Sequence, residues 1–169
     1  LLKAINLLKG KINFNLLIVG YGKQRNLLLN YINENNLQKN VKIVPYQTNP
    51  YNLIKSSDIF ILTSLYEGLP NVLLEAQVLK KFIISSNCPT GPREILLNGK
   101  AGYLFKVKDY QILSKLILKI LRNKKIMYKK IEIGYKNLDR FDYELNLNKY
   151  YKTILQYLWS IKQIVSNIF

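Results

Sequence analysis

From Leu1 to Phe105, short apolar runs alternate with stretches of helical period, and turn residues stand between them. "NLLIV" (Asn15–Val19), "VKIV" (Val41–Val44), "DIFILT" (Asp58–Thr63), "FIIS" (Phe82–Ser85) and "GYLF" (Gly102–Phe105) have strand length. Most are apolar at consecutive positions, as strands are when both faces of a parallel sheet are covered. Helical patterns over Leu1–Leu8, Lys23–Asn35, Tyr51–Ser56, Pro70–Lys80 and a short segment from Arg93 fill the intervals. Gly20-Tyr21-Gly22, Pro45, the "CPTGP" loop (Cys88–Pro92) and Asn98-Gly99 supply the turns. This alternation predicts β-α-β units in a doubly wound, Rossmann-like α/β sheet over residues 1–108. Because the chain opens on a helix, a first strand and its loop are expected upstream, so that the domain is incomplete.

From Asp109 the pattern is helical only. "YQILSKLILKILRN" sets Ile112, Leu113, Leu116 and Ile120 against Lys115, Lys119 and Arg122. "YKTILQYLWSIKQIVSNIF" repeats the scheme with Ile154, Leu155, Leu158, Val165 and Ile168. Residues 109–169 are therefore expected to pack as helices on the domain, with a basic helix lying on an anionic membrane as the alternative.

Composition narrows the class. The 169 residues suffice for one domain with a core, and no run approaches the roughly 18 apolar residues of a membrane span. One cysteine, Cys88, excludes an internal disulfide, and the absence of histidine removes the usual zinc sets. A cytoplasmic setting is expected. The 26 Lys and Arg against 10 Asp and Glu give a net charge of +16, which favours anionic partners or reflects a compositional bias of the genome. Tyr150, Tyr151 and Tyr157 fall in the helical pattern as packing residues, and no nucleic-acid partner is expected.

In open parallel sheets ligands bind at the carboxyl ends of the strands. The loop after Thr63 is the richest in chemistry, running Ser64-Leu65-Tyr66-Glu67-Gly68-Leu69-Pro70-Asn71 into a helix. Gly68 permits a sharp turn and Pro70 suits a helix start, so free amides near Asn71 and Val72 would point outward with the helix dipole behind them. Glu67 and Glu75 bracket this start. Either could simply complement the dipole. Among Val72, Leu73, Leu74 and Ala76, however, a second carboxylate is costly unless something bonds to it, and sugar or ribose hydroxyls are good donors.

With seven residues between Glu67 and Glu75, the segment "SDIFILTSLYEGLPNVLLEAQVLKKFIISSNCPTGPREILLNGKAGYLF" (Ser57–Phe105) resembles the C-terminal, donor-binding half of GT-B glycosyltransferases. The resemblance is to the retaining family 4 group, the glycosyl transferases group 1, with its E-x7-E signature. "CPTGPREI" is similar to bacterial members that build surface polysaccharides and lipid-linked oligosaccharides. It covers Leu1 to Phe105 well and the helical tail more loosely.

The resemblance implies an enzyme that transfers a hexose with retention from a nucleoside diphosphate sugar, a UDP-sugar, to a lipid-linked or polysaccharide acceptor. Glu67 would be the catalytic-site carboxylate contacting donor sugar hydroxyls, next to Gly68. Glu75 would accept hydrogen bonds from the ribose. Backbone amides of Asn71, Val72 and Leu73 would hold the diphosphate, and Pro45, Tyr46 and Gln47 would flank the base. No metal or other cofactor is implied. The family's basic diphosphate-binding pair and its acceptor-binding N-terminal domain are not in this sequence, so the chain is expected to be inactive alone and to partner that domain, with contact to the inner face of the membrane. The alternative is a non-catalytic nucleotide-sugar-binding module or an inactive fragment.

Three further features carry less. Gly20 and Gly22 make half of a dinucleotide fingerprint, but Arg25 stands where the third glycine would be, so they form a tight turn that could border the cleft. Arg93 with Glu94 is an exposed ion pair or a phosphate contact. Cys88, without a histidine to activate it, reads as a packed thiol.

Overall fold

A computed structural model describes residues 1–166, with the side chains of Lys162, Ile164, Val165 and Ser166 excepted. The chain forms two compact units, residues 1–135 and residues from Lys136 onward. The first contains helix α1 (Leu2–Asn6), strand β1 (Leu16–Val19), α2 (Arg25–Glu34), β2 (Val41–Val44), α3 (Tyr51–Ser56), β3 (Ile59–Leu62), α4 (Asn71–Val78), β4 (Phe82–Ser86), α5 (Pro92–Ile95), β5 (Tyr103–Phe105), α6 (Tyr110–Leu121) and α7 (Lys124–Tyr135). A 3-10 turn at Leu97–Gly99 joins α5 to β5.

Every strand pairing is parallel. Leu16 through Val19 lie opposite Val41 through Val44, Ile59 through Leu62 opposite Phe82 through Ser85, and Ile84 through Ser86 opposite Tyr103 through Phe105. The strands form two ladders, β1-β2 and β3-β4-β5. Among the described residues β1 and β3 each keep one edge unpaired. Their faces nonetheless share one core, since Leu16 and Ile18 of β1 and Ile59 and Ile61 of β3 pack on the same buried cluster.

β4 is buried at all five positions, Phe82 to Ser86. Alternate side chains point to opposite faces, so a strand with no exposed position must be covered on both sides. On one side Phe82 and Ile84 join Leu2, Ala4 and Ile5 of α1, Leu8 in the turn after it, and Leu113, Ile117 and Ile120 of α6. The other side is closed by α4 and α7, with α5 packed on α4. There Gln77 of α4, 4% exposed, donates from Nε2 to the Ile95 carbonyl at 3.3 Å. Gly134 of α7 comes so near that an added Cβ would lie 2.7 Å from that same nitrogen. Helix α6 starts on Asp109, whose Oδ1 accepts from the Ile112 amide at 2.9 Å.

The second unit holds a 3-10 turn (Leu138–Phe141) and one long helix, α8 (Tyr143–Ser166). The packing role expected for its tyrosines is not what the structure shows. Tyr150, Tyr151 and Tyr157 are 68%, 60% and 71% exposed, and Ile154, Leu155 and Leu158 are exposed as well. One helix and one turn offer no facing layer within this unit to cover such a stripe. The Val165 side chain and Ile168, which belong to the expected stripe, lie outside the described residues. No described helix is long and apolar enough to cross a membrane.

Candidate functional site

Because all paired strands are parallel, the loops after Val19, Val44, Leu62 and Ser86 leave the ladders at carboxyl ends. The loop from β3 to α4 carries Glu67. Pro70 precedes the helix in extended conformation (φ −71°, ψ 95°) with its ring buried, and α4 starts at Asn71 with no side chain capping it. The Leu73 amide is already donated to the Pro70 carbonyl at 2.9 Å, and the Leu73 side chain is fully buried. The first turn therefore presents the amides of Asn71 and Val72, two of the donors that every helix start leaves without an intrahelical partner.

Glu67 and Glu75 are both half-buried. Among the described residues neither carboxylate has a side-chain hydrogen bond or ion pair; the ion pair recorded joins Lys80 to Glu132 at 3.8 Å. In a chain of net charge +16, two half-buried carboxylates without a lysine or arginine in ion-pair range leave their oxygens free to accept from other donors.

The Glu67 loop is held from the neighbouring strand. Ser86 Oγ, at the end of β4, donates to the Ser64 carbonyl at 2.7 Å. Further on, the Thr90 hydroxyl lies within reach of the carbonyls of Glu67 and Pro89. Thr90 and Gly91 have consecutive positive φ values of 60° and 76°. For a β-branched residue that conformation costs about 1–3 kcal/mol and persists only where the surroundings impose it. Gly91 is buried in contact with the turn, and a Cβ there would clash with the Gly68 carbonyl and come within 2.5 Å of Pro70 Cδ.

At the other ladder, Gly20 (φ 135°) follows β1, and its amide donates to the Val44 carbonyl at 3.0 Å, bringing the ends of β1 and β2 together. Tyr21 and Tyr46, 85% and 62% exposed, meet edge to face with ring centroids 6.2 Å apart. Beside them is an open depression of about 340 Å³ lined by Gly20, Tyr21, Gly22, Lys23 and Arg25. Gln47 Nε2 donates to the Pro45 carbonyl at 3.2 Å, and Pro45 is exposed. A second depression, about 720 Å³, includes Asn87, Thr90 and Arg93, with Arg93 Nε donating to Asn87 Oδ1 at 3.3 Å. Neither depression is lined by Glu67 or Glu75. Cys88 is a buried free thiol. Among the described residues no three or more His, Cys, Asp or Glu side chains are grouped so that they could hold a metal ion.

The sequence profile of the glycosyl transferases group 1 matches residues 1–137. The chain belongs to this family. A capsular polysaccharide biosynthesis glycosyltransferase of Staphylococcus aureus, CapH, is 33% identical over 84% of this chain and 39% of its own length. The Escherichia coli UDP-Gal:alpha-D-GlcNAc-diphosphoundecaprenol alpha-1,3-galactosyltransferase is 33% identical over 74% of this chain and 34% of its own. The chain thus spans well under half of either relative. Among solved structures, a TarM variant of S. aureus in complex with fondaparinux, alpha-GlcNAc-glycerol and UDP superposes with a TM-score of 0.82, at 23% identity, over 89% of this chain and 31% of that one. The fold is that of the C-terminal, Rossmann-like half of a GT-B glycosyltransferase. In this group 1 glycosyltransferase chain the sequence patterns place Tyr21, Thr90 and Gly91 in turns without giving them a role at the site. Tyr21 is a large aromatic between two turn glycines at a strand end, and Thr90 lies in the loop after β4, but its reach to the Glu67 carbonyl, 23 residues away, has no local signal.

Proposed function

We propose that this chain is the donor-binding part of an enzyme that transfers a hexose, with retention, from a UDP-sugar to a lipid-linked or polysaccharide acceptor. The observation that carries this is the pair of half-buried, unpartnered carboxylates, Glu67 and Glu75, on either side of a helix start that presents two free amides. Sugar hydroxyls donate to Glu67 beside Gly68, and ribose hydroxyls donate to Glu75. The diphosphate rests at the amides of Asn71 and Val72, while Leu73 anchors the helix through its buried side chain. Pro45, Tyr46 and Gln47 flank the base, with Gly20 and Gly22 shaping the turn alongside. Arg93 remains at the edge of the site as a further phosphate contact.

Transfer builds positive charge at the sugar and negative charge on the departing diphosphate. Fixed dipoles aimed at that diphosphate stabilise the transition state more than the ground state. In this scheme Glu67 positions the sugar rather than attacking it, and no metal takes part. The names of the two relatives, with a polysaccharide product in one and a diphosphoundecaprenol-linked acceptor in the other, support the acceptor class. Their greater length supports a partner acceptor-binding domain, without which this chain binds donor but does not turn over. The open edges of β1 and β3 support a further parallel strand between them. Work at the inner face of the membrane fits the net charge of +16 and the exposed aromatics of α8, which bears lysines but no acid after Glu144.

Calorimetric titration of the chain with UDP and GDP in EDTA, repeated on Glu75→Ala, tests the proposal. UDP should bind without metal, and the variant should lose about 1.5–3 kcal/mol, as for a hydrogen bond to a charged group. UDP affinity untouched by the substitution refutes the ribose role, and a folded chain that binds neither nucleotide is the non-catalytic alternative in its inactive form.

A further inference from the structure

We propose that Thr90 and Gly91 are positioning residues for the Glu67 carboxylate, so that the loop after β4 governs the grip on the donor sugar. This rests on Glu67 being the sugar-binding carboxylate. The Glu67 side chain has no partner of its own among the described residues, which leaves its position to the backbone that carries it. That backbone is gripped at Glu67 itself, because the carbonyl facing the Thr90 hydroxyl, 23 residues away in sequence, is the Glu67 carbonyl. The grip comes from a rigid base. β4 is buried throughout, Ser86 ties the start of the same turn through the Ser64 carbonyl, and the Asn87 amide donates to the Phe105 carbonyl at 2.7 Å. Gly91 closes the far side of the turn, against Gly68 and the Pro70 ring. Two successive left-handed residues, one of them β-branched, are what the chain adopts to bring both contacts to bear.

The hydroxyl has one proton, and the Pro89 carbonyl, at 2.7 Å, is a competing acceptor. Removing the hydroxyl therefore frees the turn without removing any bulk, whereas Gly91→Ala must displace it. Thr90→Val should leave UDP affinity intact and lower the additional affinity contributed by the sugar, because Glu75 and the α4 amides are not touched. Gly91→Ala moves Pro70 as well and should weaken UDP and UDP-sugar together.

The test uses the chain itself with UDP and with UDP-glucose, UDP-galactose and UDP-N-acetylglucosamine, and it follows amide hydrogen exchange over Leu65 to Leu69 without ligand. Thr90→Val should speed exchange there and reduce the ratio of UDP-sugar to UDP affinity by about three- to tenfold, the scale of one neutral hydrogen bond. Thr90→Ser, which retains the hydroxyl, should restore both. Unchanged exchange in Thr90→Val, or a serine variant as impaired as the valine one, overturns the proposal. Faster exchange with an unchanged affinity ratio overturns it too, since the brace would then be structural alone. A fault in the underlying assignment shows separately, as UDP binding indifferent to Glu75→Ala.

Discussion

Alanine at Gly134 sets two effects of opposite sign against each other. In an exposed helix interior the change would add about 1 kcal/mol of stability through propensity alone. Gly134 lies in α7, but it is buried against α4, where a Cβ would stand 2.7 Å from Gln77 Nε2, 3.3 Å from its Cδ and 3.4 Å from Ala101 Cβ. The Gln77 amide has little room to retreat, being 4% exposed and bonded to the Ile95 carbonyl at 3.3 Å. Displacing it leaves a buried amide unpaired, at about 1–3 kcal/mol, and crowding a close-packed interior costs about 1–3 kcal/mol more. Set against the propensity gain, the variant should be destabilised by about 1–5 kcal/mol. Urea denaturation followed by far-UV circular dichroism measures this. Trp159, the only tryptophan of the chain, lies on α8 in the second unit and would not report the first. With a slope of about 1–3 kcal/mol/M the midpoint should fall by about 1 M at constant slope. Gln77→Ala in the same background should recover part of the loss, a favourable coupling between neighbours. A midpoint that rises in Gly134→Ala would refute the close packing of α7 on the helix that carries Glu75.

Two further outcomes follow from other sites. Tyr21→Ala should weaken UDP binding by about fivefold or more while Tyr21→Phe does not, if the exposed Tyr21–Tyr46 pair stacks on the base, whose π-face contact is worth about 1–3 kcal/mol; equal affinities by calorimetry would remove Tyr21 from the site. The Lys130 ammonium is held below its ordinary pKa of 10.5, first by burial and then by the charge of Lys119, with both amines over the Tyr103 ring. The folded state therefore binds fewer protons than the unfolded one between that lowered value and 10.5, so stability should gain from this group as pH rises through the window. Thermal melts of wild type and Lys130→Met across alkaline pH should show the gain only in the former.

Much of the fold is local and was legible. The strand Val41–Val44 and the helix Tyr51–Ser56 have the limits their patterns predict, because a short apolar run ended by Pro45, or a short helical pattern between turn residues, is read from neighbours in sequence. Pro70 before α4, Gly20 at a strand end and the Glu67–Glu75 spacing belong to the same class. Here side-chain period and turn chemistry are properties of adjacent residues, and they survive into the folded state when packing agrees with them.

What depended on tertiary structure involves residues that sequence does not bring near each other. The pairing break between β1 and β3, the seat of Gly134 on Gln77, the meeting of Tyr21 with Tyr46 and the hold of Thr90 on the Glu67 carbonyl are all of this kind. So is the engagement of the Leu73 amide with Pro70, which removes one of the three amides the helix start offered on paper. The exposed face of α8 belongs here as well, since an amphipathic stripe specifies that something apolar suits it without specifying what. Amphipathic period gives each element a buried side, but the partner on that side is chosen by close packing across the whole domain, where a single Cβ or hydroxyl decides the fit.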